Sequence, residues 1–294
     1  MRKVLRNWIL ASRPKTLVAA IVPVIVAAAY ASRSAGMVWP TLVCALASAL
    51  CIQIGTNLAN DYSDFKKGAD TAERLGPVRV TQAGLIAPRQ VKAGAMIAFG
   101  LAVLFGIPLI LRGGWPILLI GVLSIFSGWA YTGGPYPLGY NGLGELFVFL
   151  FFGIAAVVGT DYALTLRWDP VALVIACIPG LHASALLAIN NLRDVDTDRA
   201  VGKRTLAARF GRAFGRWEFA ILILLPFAIP PLLCAFEKIP GGAMILPVAP
   251  LVFAIEAVNI AFTRTDGPSL IRALGRTALV QLLFGILFAI GMSL

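Results

Sequence analysis

Apolar runs about the length of a membrane crossing alternate with short polar stretches along the whole chain. They lie at 17–31, 38–58, 92–111, 115–131, 142–160, 170–189, 217–236, 244–263 and 271–294. A helix needs about 20 apolar residues to cross the hydrocarbon core of a bilayer, so each run is read as one span. The first is short and is predicted to extend back toward Arg13, while Pro23, Pro226, Pro230 and Pro231 predict kinks that neighbouring helices must satisfy. The fold class that follows is an all-α integral membrane protein of about nine transmembrane helices, one membrane domain over residues 1–294.

Composition sharpens this picture. Of the 294 residues 59% are hydrophobic and 13% charged, with mean hydropathy +0.85. Soluble domains carry about a quarter charged residues, so a water-soluble core is excluded. The net charge of +11 could point to nucleic acid, an anionic bilayer or an anionic substrate. Its distribution decides: Lys and Arg concentrate before the first run and in alternate loops thereafter, with one each (Arg33, Arg112, Arg167, Lys238) in the opposite loops. Orientation follows that bias, which places the N-terminus in the cytoplasm and leaves no charge needing nucleic acid. Arg6 and Arg13 interrupt the first apolar residues, against a cleaved signal peptide. Cys44, Cys51, Cys177 and Cys234 lie in apolar runs without a CxxC pair and are read as small core residues.

Two of the basic loops, 62–91 and 191–216, hold most of the polar chemistry. NLANDYSDFKKGAD begins at Asn57 and NNLRDVDTDRAVGKRT at Asn190; both contain N-x-x-x-D, a further Asp and then lysine. The recurrence predicts two pseudo-repeats, 10–132 and 142–263, followed by a final helix at 271–294. On continuous helix Asn57, Asp61 and Asp64 share one face, as do Asn190, Asp194 and Asp198, whereas Asp196 lies about 200° round and points elsewhere. Facing halves would gather at least four carboxylates. Two charges about 5 Å apart at an effective dielectric of about 20 repel by roughly 3 kcal/mol. Protons, lysines or divalent cations must therefore neutralise the cluster. Carboxylate and amide oxygens suit Mg²⁺, which binds jointly with phosphates. Lys66, Lys67, Arg74 and Arg79 follow the first acids, and Arg199, Lys203 and Arg204 the second, so the pattern describes a metal–diphosphate site.

With these residues in view the chain resembles the UbiA-type intramembrane prenyltransferases, and within them the naphthoate branch. The marks are ASRPKTL near Arg13, NLANDYSDFKKGAD, ERLGPVRVTQAG, YTGGPYPLGYNGLGE and NNLRDVDTDRAVGKRTLAARFG. The resemblance implies a helical bundle around a central cavity open to the cytoplasm and to membrane lipid. It implies Mg²⁺ held by Asn57, Asp61, Asp64, Asn190, Asp194 and Asp198, the four aspartates being the catalytic acids. Arg13, Lys67, Arg79 and Lys203 look like partners of the diphosphate. Family members place a Tyr and a Lys or Arg after the fourth span; Tyr131 is present, 132–141 hold no Lys or Arg, and Arg79 or Lys203 is expected to substitute.

The function implied is transfer of a polyprenyl group from polyprenyl diphosphate to 1,4-dihydroxy-2-naphthoate with loss of CO₂, giving demethylmenaquinone in the bacterial inner membrane. Glu145, in GLGE, is a candidate for the aromatic substrate or for capping its helix. His182, eight residues before Asn190, is a candidate for the same substrate or for an ordinary helix–helix hydrogen bond. A prenyltransferase with another acceptor such as 4-hydroxybenzoate is the nearest alternative. An ion-coupled transporter would want acids at mid-membrane, not at helix ends. A CDP-alcohol phosphotransferase would want a DG-x-x-AR opening, which this sequence lacks.

Overall fold

The computed structural model describes residues 2–68 and 79–294. Arg74 and the ERLGPV portion of its motif lie outside them.

All regular structure among the described residues is helical. An amphipathic α1 (Arg2–Ser12) leads into α2 (Pro14–Ala35), α3 (Trp39–Lys66), α4 (Pro88–Gly113) and α5 (Trp115–Ala130). Next come α6 (Gly144–Phe149), a π turn at Leu150–Ala155, α7 (Ala156–Thr165), α8 (Pro170–Arg193), α9 (Val195–Ala200) and α10 (Leu206–Phe210). The chain ends with α11 (Arg212–Leu224), α12 (Ile229–Ala235), α13 (Gly241–Ile245), α14 (Leu251–Thr263) and α15 (Gly267–Gly291). Prolines in the first turns of α2, α3, α4, α5, α8 and α15 start helices where their missing N–H costs nothing. Asp169, Thr205 and Asp266 accept the free amides of Val171, Ala208 and Ser269.

Every predicted apolar run falls on helix. Seven segments of the described residues are long and apolar enough to cross a membrane, and the pair Gly241–Val248 and Leu251–Thr263, bent by 42°, makes an eighth. Trp115–Ala130 is shorter. The protein is an integral membrane protein.

The first run does extend back, as far as Pro14. Pro23 leaves α2 unbroken, whereas Pro226 sits in a 3₁₀ turn, Leu225–Ala228, between α11 and α12. One proline deletes one bond that a helix tolerates; Pro226, Pro230 and Pro231 together delete three within two turns. The four cysteines are free thiols and partly buried, and Cys44 and Cys234 pack against core clusters. In a bilayer an apolar run has no reason to distinguish core from lipid-facing surface.

Packing divides into two regions. Ala11, Leu58, Val80, Val91 and Phe99 pack α1, α3, α4 and the segment after Arg79 into one cluster. A second joins α8, α11, α14 and α15 through Ile189, Leu192, Phe219, Ile223, Ala257 and Leu270. Between them α2 packs on α3, α7, α8 and α15. At the crossing of the π turn with α8, a Cβ on Gly153 would stand 2.7 Å from Ala176 O and 2.8 Å from Gly180 Cα.

The two acidic motifs do not fold alike. Helix α3 runs through Asp61 and Asp64, while α8 stops at Arg193; Asp194 occupies a turn and Asp198 sits on α9. The second stripe is thus not one helix, although Asp198 N still donates to Asp194 O at 2.8 Å.

Candidate active site

A cavity of about 300 Å³ opens among α2, α3, α4, α5 and the α6–α7 segment, walled almost entirely by apolar side chains. Gln53 and Thr56 of α3, with Tyr131 and Phe147, lie on its wall. One turn further along α3 stand Asn57 and Asn60, then Asp61 and Asp64, all buried. Apolar space therefore ends beneath the carboxylates.

Asp64 is the hub. Arg79 Nη2 donates to its Oδ2 at 2.7 Å and Tyr140 Oη to its Oδ1 at 2.8 Å. Two ammonium groups approach the Tyr140 ring, Lys67 Nζ at 5.0 Å and Lys203 Nζ at 4.8 Å from its centroid. Lys203 also reaches Asp198 at 3.9 Å. Tyr140 thereby joins the two motifs. Lys67 Nζ donates to Thr132 O at 2.7 Å, and Thr132 Oγ1 to Asn60 Oδ1 at 2.8 Å, so the loop after α5 is pinned to the end of α3. Burial, and secondarily the charge of Lys203, hold the Lys67 ammonium below the ordinary lysine pKa, against the pull of Asp64. Only glycine permits the loop's path, because a Cβ on Gly139 would meet the Tyr131 ring at 2.9 Å.

The remaining candidates fall in several places. Asp61 accepts the amides of Val80 and Thr81, both at 3.1 Å, and so holds the segment that carries Arg79. Asp194 takes a two-pronged pair from Arg193, at 2.7 and 2.6 Å. Asn57 Nδ2 donates to Ser12 O and Thr16 Oγ1, both at 2.9 Å, which leaves its oxygen free and fixes the left-handed residue Arg13 (φ 51°) between α1 and α2. Asn190 is half-buried on α8. Asp196 is exposed and pairs with Arg212.

The acids are spread along the two motifs. Among the described residues no three Asp, Glu, His or Cys side chains are grouped closely enough to hold a metal. Each acid is neutralised by an arginine, a lysine or backbone amides, one of the routes that charge repulsion left open. The donors nonetheless fit Mg²⁺, since all are hard oxygens. Arg193 Nη1, buried with no hydrogen-bond partner among the described residues, fits an anionic ligand beside it.

Glu145 and His182 stand away from the cavity wall. Glu145 is buried against α8, accepting from Asn191 Nδ2 at 2.6 Å, because its side chain lies on the face of α6 opposite Phe147. His182 is 1% exposed and packs edge-on to Phe227 and Phe284. Of the three candidates for the aromatic substrate only Tyr131 lines this cavity, while Glu145 Oε2 and His182 Nε2 are buried with no hydrogen-bond partner among the described residues. Sequence reasoning missed Tyr140 and Arg193. Tyr140 was signalled by the second Tyr closing YTGGPYPLGY, Arg193 by the cation inside NNLRD.

Comparison with known proteins bears on this arrangement. The pattern of the UbiA prenyltransferase family matches residues 20–291. The chain belongs to that family. This prenyltransferase is 38% identical to a 1,4-dihydroxy-2-naphthoate octaprenyltransferase of Mycobacterium tuberculosis, over 96% of this chain and 95% of the relative. It is 35% identical to the Escherichia coli protein of the same name, over 98% and 95%. Its fold is similar to a UbiA homolog from Archaeoglobus fulgidus bound to DMAPP and Mg²⁺, with TM-score 0.69 and 15% identity over 98% of this chain and 99% of that one.

Proposed function

We propose that this prenyltransferase moves a polyprenyl group from polyprenyl diphosphate to 1,4-dihydroxy-2-naphthoate with loss of CO₂, a step of menaquinone synthesis, at the cytoplasmic face of a bacterial inner membrane. The observation that carries the reading is the apolar cavity ending beneath Asp64, Tyr140, Lys67 and Lys203, in a chain whose near-full-length relatives bear the naphthoate name.

The isoprenoid tail occupies the cavity, and its diphosphate lies against Arg13, Lys67, Arg79 and Lys203. Asn57 through its free oxygen, with Asp61, Asp64, Asn190, Asp194 and Asp198, would hold Mg²⁺. That ion supplies positive charge to the departing diphosphate. The surrounding cations favour departure of the diphosphate with the C–O bonding pair, leaving an allylic cation. The apolar wall, with Tyr131 and Phe147, keeps water from it. The electron-rich ring attacks through the carbon that bears the carboxylate. The C–C bond to that carboxylate then breaks, its electrons return to the ring and CO₂ leaves. Decarboxylation spares the protein a base at that carbon. Oxidation of the prenylated quinol gives demethylmenaquinone.

Membranes containing the protein, supplied with Mg²⁺, polyprenyl diphosphate and carboxyl-labelled dihydroxynaphthoate, should release labelled CO₂ in step with prenylated product. Asp61→Ala and Asp194→Ala should each abolish both. Product retaining the carboxylate, or made instead from 4-hydroxybenzoate, would move the acceptor to another branch; full activity in either variant would sink the metal assignment.

A further inference from the structure

Beside the site, but outside the tail cavity, lies a second concavity of about 500 Å³ lined by Arg199, Gly202, Lys203, Arg204, Ala208 and Arg209. Four cations line it, and among the described residues no acid does. Positive-inside bias explains why cations occur in this loop, but not why they share one hollow.

The hollow is built. Gly202, at φ 74°, turns the chain after α9, Lys203 N returns to Asp198 O at 2.8 Å, and Arg199 Nε donates to Ala208 O at 2.8 Å, fixing its floor. Arg204 N donates to Tyr140 O at 2.8 Å, so the wall is tied to the loop that bears Tyr140. The same loop passes so close that a Cβ on Gly142 would stand 3.0 Å from Arg204 O and 3.6 Å from Arg209 Nη1. The guanidinium groups of Arg204 and Arg209 are exposed and have no carboxylate or carbonyl partner among the described residues. Lys203 belongs to both places: its ammonium faces Tyr140 and Asp198 in the site and also lines the hollow.

The structure assigns this hollow as a second binding site for a phosphate-type anion, contiguous with the first through Lys203. Planar guanidinium groups match phosphate oxygens, and four cations, of which Lys203 is paired with Asp198, have the charge to hold a dianion. In the proposed reaction the leaving diphosphate is such an anion, and Lys203 offers it a handover from the site toward solvent. A phospholipid headgroup carries the same chemistry. The assignment rests on the proposed function for the source of the anion, not for its existence.

The experiment is equilibrium binding of labelled inorganic diphosphate to the full chain in neutral detergent with excess EDTA, so that divalent metal contributes nothing. Wild type should bind, and Arg204→Ala/Arg209→Ala should bind about tenfold or more weakly, the loss of one to two charge-assisted contacts. Arg204→Lys/Arg209→Lys should recover part of the loss, which separates charge from misfolding. Equal binding by wild type and the alanine pair, or no binding by wild type in EDTA, overturns the assignment. Repeating the measurement in phosphatidylcholine vesicles with and without phosphatidylglycerol separates the sources: competition by phosphatidylglycerol that the alanine pair abolishes identifies a headgroup, and its absence identifies free diphosphate. Binding with this pattern in a protein that fails to prenylate dihydroxynaphthoate would leave the second site standing and remove the acceptor reading.

Discussion

Tyr140 carries more of the site than its position in a glycine-rich loop suggests. Its hydroxyl anchors one oxygen of Asp64 and its ring meets two lysines, so the two roles can be parted. Tyr140→Phe keeps the ring and loses a hydrogen bond to a charged group, worth about 1.5–3 kcal/mol, so kcat/KM should fall about tenfold or more. Tyr140→Ala should fall further, since Lys67 and Lys203 then lose their ring contact as well. Lys67 sets a pH limit. In the proposed reaction its ammonium meets the anionic donor, and its pKa lies below the usual lysine range, chiefly through burial. The charge is fully present below that pKa and is lost as pH rises through it. KM for the polyprenyl diphosphate should therefore climb at lower alkaline pH than an ordinary lysine would cause, and Lys67→Arg should move the climb upward, as a KM–pH profile will show. The acids and most of the cations could be read from their repetition. Arg193 could not, because its pairing with the adjacent Asp194 depends on where α8 stops.

Among the elements, the π turn at Leu150–Ala155 is the one that no periodicity signalled, since a single extra residue in a turn leaves an apolar run looking the same. What makes it possible is contact between Gly153 and Gly180, which brings two backbones together. Gly153→Val should force them apart at a cost of about 1–3 kcal/mol, read as a lower thermal midpoint in detergent. The bend of α6 against α8 should shift with it, moving Phe147 and lowering turnover. Helix starts are set more locally, because Pro, Asp and Thr act on the first turn alone.

For the whole molecule the position of the cavity governs which donors fit. It lies among α2 to α7, in the first half of the bundle, while the second half is packed with side chains. Gly121 lines it, and a Cβ there would meet nothing within 4 Å. Gly121→Leu should therefore fill tail space without disturbing the fold. Each methylene of a donor that no longer fits forfeits about 0.8 kcal/mol, so a long polyprenyl diphosphate should lose tenfold or more in kcat/KM while geranyl diphosphate changes little. Equal loss for both donors would mean that the tail lies elsewhere.

The sequence by itself determined that this chain is a helical membrane bundle, because about 20 apolar residues per run admit no other way to satisfy the backbone in lipid. It also pointed to the two acidic motifs as the candidate site, because repeated carboxylates at helix ends are costly to keep idle. Only the tertiary structure decided which cation neutralises which acid, that Tyr140 rather than a basic loop residue joins the motifs, and that Glu145 and His182 face neighbouring helices instead of the cavity. Those choices depend on the angle at which α8 ends and on which face of α6 meets it. Both are set by contacts between residues distant in the chain, where local spacing has no hold.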